Sequence, residues 1–230
     1  KWGLKMAKGI ICPSQVLCDH WSYLNKTYRT WNYLNLDRYV NSTPLYPHDD
    51  IVIGWPGSMS HLASFNDSGI AGALVYVTRK YPNVRIMIGG DKRVYDRIHL
   101  PESKKFFSNY VPEDKWSQLL ASIDIGLAPL AGEYDTCRSW IKGLEYMAMK
   151  IPWIASDYPT YAELKEYGTL TANGLDNWKK ALCYVIENIE SEREKARTTN
   201  YDFALTKTWE GNVDKLIDIF TKIINSDYQN

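Results

Sequence analysis

The chemistry of this sequence gathers in RSWIKGLEYMAMKIPWIAS (138–156), where Arg138, Lys142 and Glu145 stand within eight residues. The segment reads as a helix from Trp140 to Met149, N-capped by Ser139 and running into a buried strand; Ser is a favoured cap. At about 100° per residue the three charged positions share a sector of about 60°, while Ile141, Leu144 and Ala148 form a separate apolar stripe. Cations at a helix N-terminus oppose the macrodipole, which favours anions there. A bound diphosphate would reconcile them, because the helix N–H groups and both cations would face one anion. Glu145, one turn further in, has acceptor capacity suited to the two hydroxyls of a ribose. The competing reading is a solvated helix face, with Lys142 and Glu145 paired at i,i+3 for roughly a few tenths of a kcal/mol.

A second candidate is GWPGSMSH (54–61). As a strand-to-helix turn it would expose backbone N–H groups at Gly57 and Ser58 to a phosphate. Ordinary turn chemistry uses the same residues. His61 reads either as a ligand contact or as a partly exposed loop histidine.

The elements that must position these residues alternate. IVIGW (51–55), VRIMIGG (84–90), FFSNYV (106–111), DIGLAPL (124–130) and the weaker GTLTA (168–172) have strand character. Helical spacing marks 67–80, 113–123, 160–166, 176–189 and about 209–225. Residues 8–18 read as a short strand followed by a helix from Ser14. Residues 27–46 read as a linker, 91–105 as a polar loop, and the charged run 190–197 as a solvated helix face. This alternation predicts an α/β fold, a doubly wound, Rossmann-like, mostly parallel sheet with helices on both faces. In such sheets ligands sit beyond the carboxyl ends of the strands near the switch in strand order. Both candidate segments fall at such ends.

The 230 residues, 45% of them hydrophobic, suffice for a full core. Lys and Arg total 27 and Asp and Glu total 27, so no net charge argues for a nucleic-acid partner. The four cysteines form no CxxC and no zinc spacing, which fits reduced thiols in a cytoplasmic protein and no metal site. No apolar run reaches the length of a membrane span, and no signal peptide is legible. The chain begins at Lys1, which suggests a fragment of a longer protein.

The order of elements, with IVIGWPGSMSHL, VRIMIGG, DIGLAPL and above all KGLEYMA followed by IPWIAS, resembles the C-terminal half of retaining, GT-B-fold glycosyltransferases of the large family 4 (the "group 1" transferases). The resemblance covers about 50 to 190. It implies residues 1–44 as a remnant of an N-terminal domain and linker, 45–200 as a nucleotide-sugar-binding domain, and 201–230 as a helix returning to the N-terminal domain. It further implies sugar transfer with retention from a nucleotide-diphosphate donor to a hydroxyl of a glycan or lipid-linked acceptor. The donor acts as substrate with no further cofactor, and the full-length enzyme could associate peripherally with a membrane. Glu145 becomes the second acidic residue of the family's Glu-x7-Glu motif and holds the ribose. Gly57, Ser58 and Ser139 lie by the donor, and Val111 and Pro112 lie near its base.

Two departures stand out. The first acidic position of the motif is Cys137, and the family's Arg and Lys after the first strand are missing from PGSMSHLASF. Arg138 and Lys142 would supply that charge and take the catalytic role of stabilising the departing diphosphate. The rival readings are a non-catalytic nucleotide-sugar-binding module and a sugar-nucleotide epimerase of the same fold.

Overall fold

The computed structural model describes residues 2–40, 42–57 and 61–226. Its elements in order are α1 (Trp2–Met6), β1 (Ile10–Cys12), α2 (Gln15–Trp21), β2 (Thr27–Arg29), β3 (Ile51–Pro56), α3 (Leu62–Asp67), α4 (Ile70–Lys80), β4 (Val84–Gly89), α5 (Lys92–Arg97), β5 (Lys105–Ser108) and α6 (Trp116–Leu120). Then follow β6 (Ile125–Ala128), α7 (Ile141–Ala148), β7 (Trp153–Ser156), β8 (Thr169–Thr171), α8 (Leu175–Glu187), α9 (Ile189–Lys195), α10 (Tyr201–Leu205) and α11 (Val213–Ile224).

Six strands make one sheet in the order β5-β4-β3-β6-β7-β8, and each neighbouring pair is parallel. Alternate strand residues point to opposite faces. Ile53, Ile86, Ile88, Leu127 and Ile154 pack under α4 and α8. Val52, Met87, Trp153 and Ala155 join the core beneath α6 and α7. Helices therefore cover both faces, as a parallel sheet of near-continuous apolar strands requires. The strand order reverses between β3 and β6, so their carboxyl ends open the crevice in which such sheets bind ligands. The expected doubly wound architecture is present, and its sheet is parallel throughout.

Several boundaries differ from the sequence reading, each for a local reason. The helix expected over 67–80 starts at Ile70, because Gly69 adopts φ +82° and breaks it from α3. The polar stretch 91–105 contains α5, capped by the Asp91 carboxylate, which accepts from the Arg93 N–H at 3.0 Å. The linker 27–46 opens with β2, which pairs in parallel with β1. FFSNYV forms strand only to Ser108, which leaves Val111 in the loop beyond. The expected helix over 113–123 is a 3-10 turn (Glu113–Lys115) followed by the short α6. Ser14 caps α2 as its sequence suggests, accepting from the Leu17 N–H at 3.3 Å.

The β1-α2-β2 unit has its own small core of Ile10, Cys12 and Cys18. Polar contacts tie it to the large sheet's domain: Arg29 pairs with Glu163, and Asn32 Nδ2 donates to Ser139 Oγ at 2.6 Å. Glu163 is thus a structural anchor in this arrangement. No helix among the described residues is long and apolar enough to cross a membrane.

Candidate functional site

Ligand chemistry at this sheet edge is set by α7. The helix starts at Ile141 with Trp140 in the N-cap position, one residue later than the sequence suggests. Ser139 still serves the first turn, since its hydroxyl accepts from the Ile141 N–H at 3.2 Å. Arg138 precedes the helix in extended backbone at φ −80°, ψ 168°. The 60° sector therefore holds for Lys142 and Glu145 but not for Arg138, whose direction is fixed elsewhere.

Lys142 and Glu145 line a cavity of about 500 Å³ at the carboxyl ends of β3 and β4. Gly57, Gly89, Gly90, His61, Val111 and Trp116 line it as well. The glycines permit a close approach of two loops. Gly90 has φ +88°, and a Cβ there would lie 2.2 Å from the Gly57 carbonyl oxygen. The Gly57 N–H donates to the Gly89 carbonyl at 3.0 Å, so this particular amide faces the neighbouring strand. Ser58 lies outside the described residues.

Lys142 donates to the Pro56 carbonyl and stands 5.9 Å from the centre of the Trp116 ring. Burial lowers its pKa; the charge of Glu145 works in the other direction, and Arg138 adds to the lowering. No acidic residue occupies the first turn of α7. The cation thus sits against the dipole, held by a strand-end carbonyl. An anion in the cavity would meet a desolvated ammonium, where electrostatic attraction is stronger than in water.

Glu145 is half-buried, and burial raises its pKa against the opposing effects of Lys142, Trp116 and Tyr39. Its Oε1 accepts from the Trp116 indole N–H at 2.8 Å and from the Tyr39 hydroxyl at 3.1 Å. A carboxylate presented to a cavity beside an ammonium can accept from ligand hydroxyls, the chemistry a ribose requires.

Arg138 belongs to a neighbouring cavity of about 720 Å³, walled by α2, the 131–138 segment and Tyr161. His61, Ile141 and Lys142 line both cavities, so the two adjoin along the start of α7. Arg138 Nε donates to Asp135 Oδ1 at 2.6 Å, and its guanidinium lies 4.9 Å from the centre of the Tyr134 ring. Asp135 is buried, and its other oxygen accepts from Ser64 Oγ at 2.5 Å and from the Ala131 N–H at 2.8 Å. Arg138 Nη1 is 3.2 Å from His61 Nε2. A guanidinium only donates, so His61 Nε2 accepts and the imidazole proton resides on Nδ1. Burial, then the charges of Arg138 and Lys142, push His61 down to about 4.

Of the residues singled out by sequence, Gly57, His61, Val111, Lys142 and Glu145 meet in the first cavity. Arg138 and Ser139 line the second, together with Cys137. Pro112 lines neither cavity and instead occupies the N-cap position of the 113–115 turn.

A family model described as glycosyl transferases group 1 matches residues 52–196. The chain belongs to that family. Solved structures similar to this group 1 domain are GT-B glycosyltransferases, among them one from Rickettsia africae ESF-5, with TM-score 0.75 and 16% identity over 95% of this chain and 64% of that one. Another is HepE of Anabaena in complex with UDP-glucose, with TM-score 0.74 and 16% identity over 94% of this chain and 64% of that one. A third is sucrose-phosphate synthase from Thermosynechococcus elongatus, with TM-score 0.69 and 12% identity over 95% of this chain and 59% of that one. The group 1 chain thus spans about three fifths of the length of these structures. No curated protein sequence matches it.

Sequence reasoning missed Tyr39 and Trp116 as partners of Glu145, as well as Asn109 and Tyr110, which line the first cavity. Tyr39 lies in a segment with no periodicity, and nothing local points it at α7. Trp116 carried a weak signal, since a Trp whose N–H is taken from water needs an acceptor.

Proposed function

We propose that this chain is the donor-binding part of a retaining glycosyltransferase that takes a nucleotide-diphosphate sugar and delivers the sugar to a hydroxyl of a glycan or lipid-linked acceptor. The observation that carries this reading is the placement of Lys142 and Glu145, one turn apart on α7, in one cavity with the glycine loops that end β3 and β4. Lys142 stands where charge grows on a departing diphosphate, the position at which a preorganised cation lowers the barrier. Glu145 faces the ribose, and Val111 and the loop around it border the base. Arg138, at the junction through His61, adds positive charge on the sugar side. Residues 1–44 act as the end of an N-terminal domain and the crossing from it, and 201–230 as the return. Solved relatives were obtained with UDP or UDP-glucose, which supports a nucleotide sugar as the ligand class.

One observation favours a second reading, a nucleotide-sugar-binding module without transfer. Cys137 stands where the resemblance puts a carboxylate, and both oxygens of the nearby Asp135 already have donors. Calorimetric titration with uridine, guanosine, adenosine and cytidine diphosphates tests the shared part of both readings. Saturable binding of one of them is expected, and no binding of any at millimolar concentration overturns both. Release of free sugar from the matching nucleotide sugar then separates transferase from module.

A further inference from the structure

Two donors from segments far apart in sequence converge on one atom, Glu145 Oε1. Tyr39 follows a 3-10 turn (Leu36–Arg38) in the segment that crosses from the β1-α2-β2 unit, and Trp116 opens α6. A carboxylate oxygen has two in-plane lone pairs, and here both are taken. Among the described residues no hydrogen-bond donor reaches Glu145 Oε2. Trp116 lines the 500 Å³ cavity, and it shares a smaller space of about 140 Å³ with Tyr39, Arg38 and Glu145; Tyr39 does not line the larger cavity.

We propose that Tyr39 and Trp116 are positioning residues for ribose recognition: they clamp Oε1 of Glu145 and so present Oε2 to the cavity. The inference rests on the reading of Glu145 as the ribose acceptor. It gives the crossing segment an indirect part in the nucleotide site, because Tyr39 acts on the ligand only through Glu145. A carboxylate without such donors would rotate about its last torsion, which is broad and roughly two-fold. It would also meet burial with fewer partners for its charged form.

The electrostatic surroundings point the same way. Burial is the largest influence on Glu145 and raises its pKa, while Lys142, Trp116 and Tyr39 favour the ionised form. Other charged or titratable neighbours are His61, which lines the same cavity, the Arg38–Glu113 ion pair beside Tyr39, and the buried phenols of Tyr146 and Tyr161. Burial keeps both phenols neutral by raising their pKa values. Removing a donor to the ionised form raises the pKa of Glu145 further. The carboxylate is then lost at a higher pH on acidification.

The test titrates uridine diphosphate and its 2′,3′-dideoxy counterpart into the chain and into Tyr39→Phe, across a range from roughly pH 4 to pH 9 that brackets carboxylate titration. The wild-type chain should prefer the ribose form, and lose that preference as pH falls. Tyr39→Phe should cut the preference roughly tenfold, the order of one hydrogen bond to a charged acceptor. It should also move the midpoint of the pH profile up by about one unit, with dideoxy binding unchanged. Equal weakening of both ligands, or an unmoved midpoint, overturns the proposal. If neither binds the wild-type chain, the adenosine, guanosine and cytidine pairs are titrated in the same way, and the donor-site reading fails when none of them binds. The clamp is then judged alone by carbon-13 NMR titration of the Glu145 carboxyl, assigned with Glu145→Gln. A Tyr39→Phe titration superimposable on wild type overturns it.

Discussion

The ammonium of Lys142 donates to the carbonyl of Pro56, so the second residue of α7 reaches across to the last residue of β3. This contact brings a cation to the carboxyl edge of the sheet even though neither Lys nor Arg follows β3 in PGSMSHLASF. Burial has lowered the pKa of that ammonium, so an incoming anion gains a partner already stripped of much of its water.

Lys142→Met should therefore weaken nucleoside diphosphates by roughly 10- to 100-fold, the loss of one charge-assisted hydrogen bond worth about 1.5–3 kcal/mol. Binding of the bare nucleoside should be unchanged. The sign of the pH effect follows from the lowered pKa. Diphosphate affinity falls as pH rises through it, because the ammonium deprotonates, and the methionine variant should lack that fall. Calorimetry with diphosphate and nucleoside side by side decides it; equal losses for the two ligands would contradict the assigned role.

Gly90→Ala should separate site from scaffold. The φ of +88° is strained for an L side chain, and the added Cβ would lie 2.2 Å from the Gly57 carbonyl oxygen. The left-handed conformation alone costs roughly 1–2 kcal/mol, and the clash drives the loops after β3 and β4 apart. Urea unfolding should show a midpoint shift of that order, with a larger proportional loss in diphosphate binding. A variant with wild-type affinity would show that the close approach of these loops is not needed for the ligand.

His61 makes a pH prediction. Its pKa falls from 6.5 to about 4 through burial and the charges of Arg138 and Lys142. In the unfolded chain it protonates near its ordinary value, so the unfolded state binds more protons between about pH 6.5 and pH 4. Stability is fully present above that window and declines as pH falls through it. The fall from 6.5 to about 4 sets an upper bound of about 3.4 kcal/mol. Partial exposure reduces the measured figure. His61→Gln should flatten the urea midpoint against pH between those limits, and an undiminished slope would assign the acid sensitivity to other groups.

Legibility in the sequence followed how local the cause was. The strand at 51–56, the capped α2 and the amphipathic α7 are decided by neighbours within a turn, and each was readable within one or two residues. Gly69 split a periodic helix, because positive φ overrides an apolar repeat that continues through it. The placement of Glu145 at a ligand edge could be read from helical spacing and the carboxyl-end rule. Its clamp by Tyr39 and Trp116 could not, since those pairs are 106 and 29 residues apart. Arg138 shows the converse error. Treating it as helical put it beside Lys142 on one face, whereas the extended backbone and the buried Asp135 turn it into the second cavity.

The thiol of Cys137 offers a test of what that second cavity holds. Cys137 is half-buried and lines the cavity beside Arg138 and Ser139. The resemblance places an acidic residue at this position to bind the donor sugar. Asp135 is no substitute, since Oδ1 is taken by Arg138 and Oδ2 by Ser64 and Ala131. Glu133, on the same wall, is exposed at the start of its turn and less constrained. Cys137→Glu should therefore restore a sugar acceptor where Arg138 can offset part of its charge. The expected result is a rise of about tenfold in the affinity of the nucleotide sugar relative to its bare diphosphate, the gain of one charged hydrogen bond of about 1.4 kcal/mol. Diphosphate affinity itself should change far less than that ratio, because Glu145 and the loops after β3 and β4 line the first cavity and only Lys142 and its neighbours border both. Release of free sugar should rise along with that ratio if the thiol is what limits turnover. An unchanged ratio would place the sugar elsewhere and leave the second cavity to the acceptor.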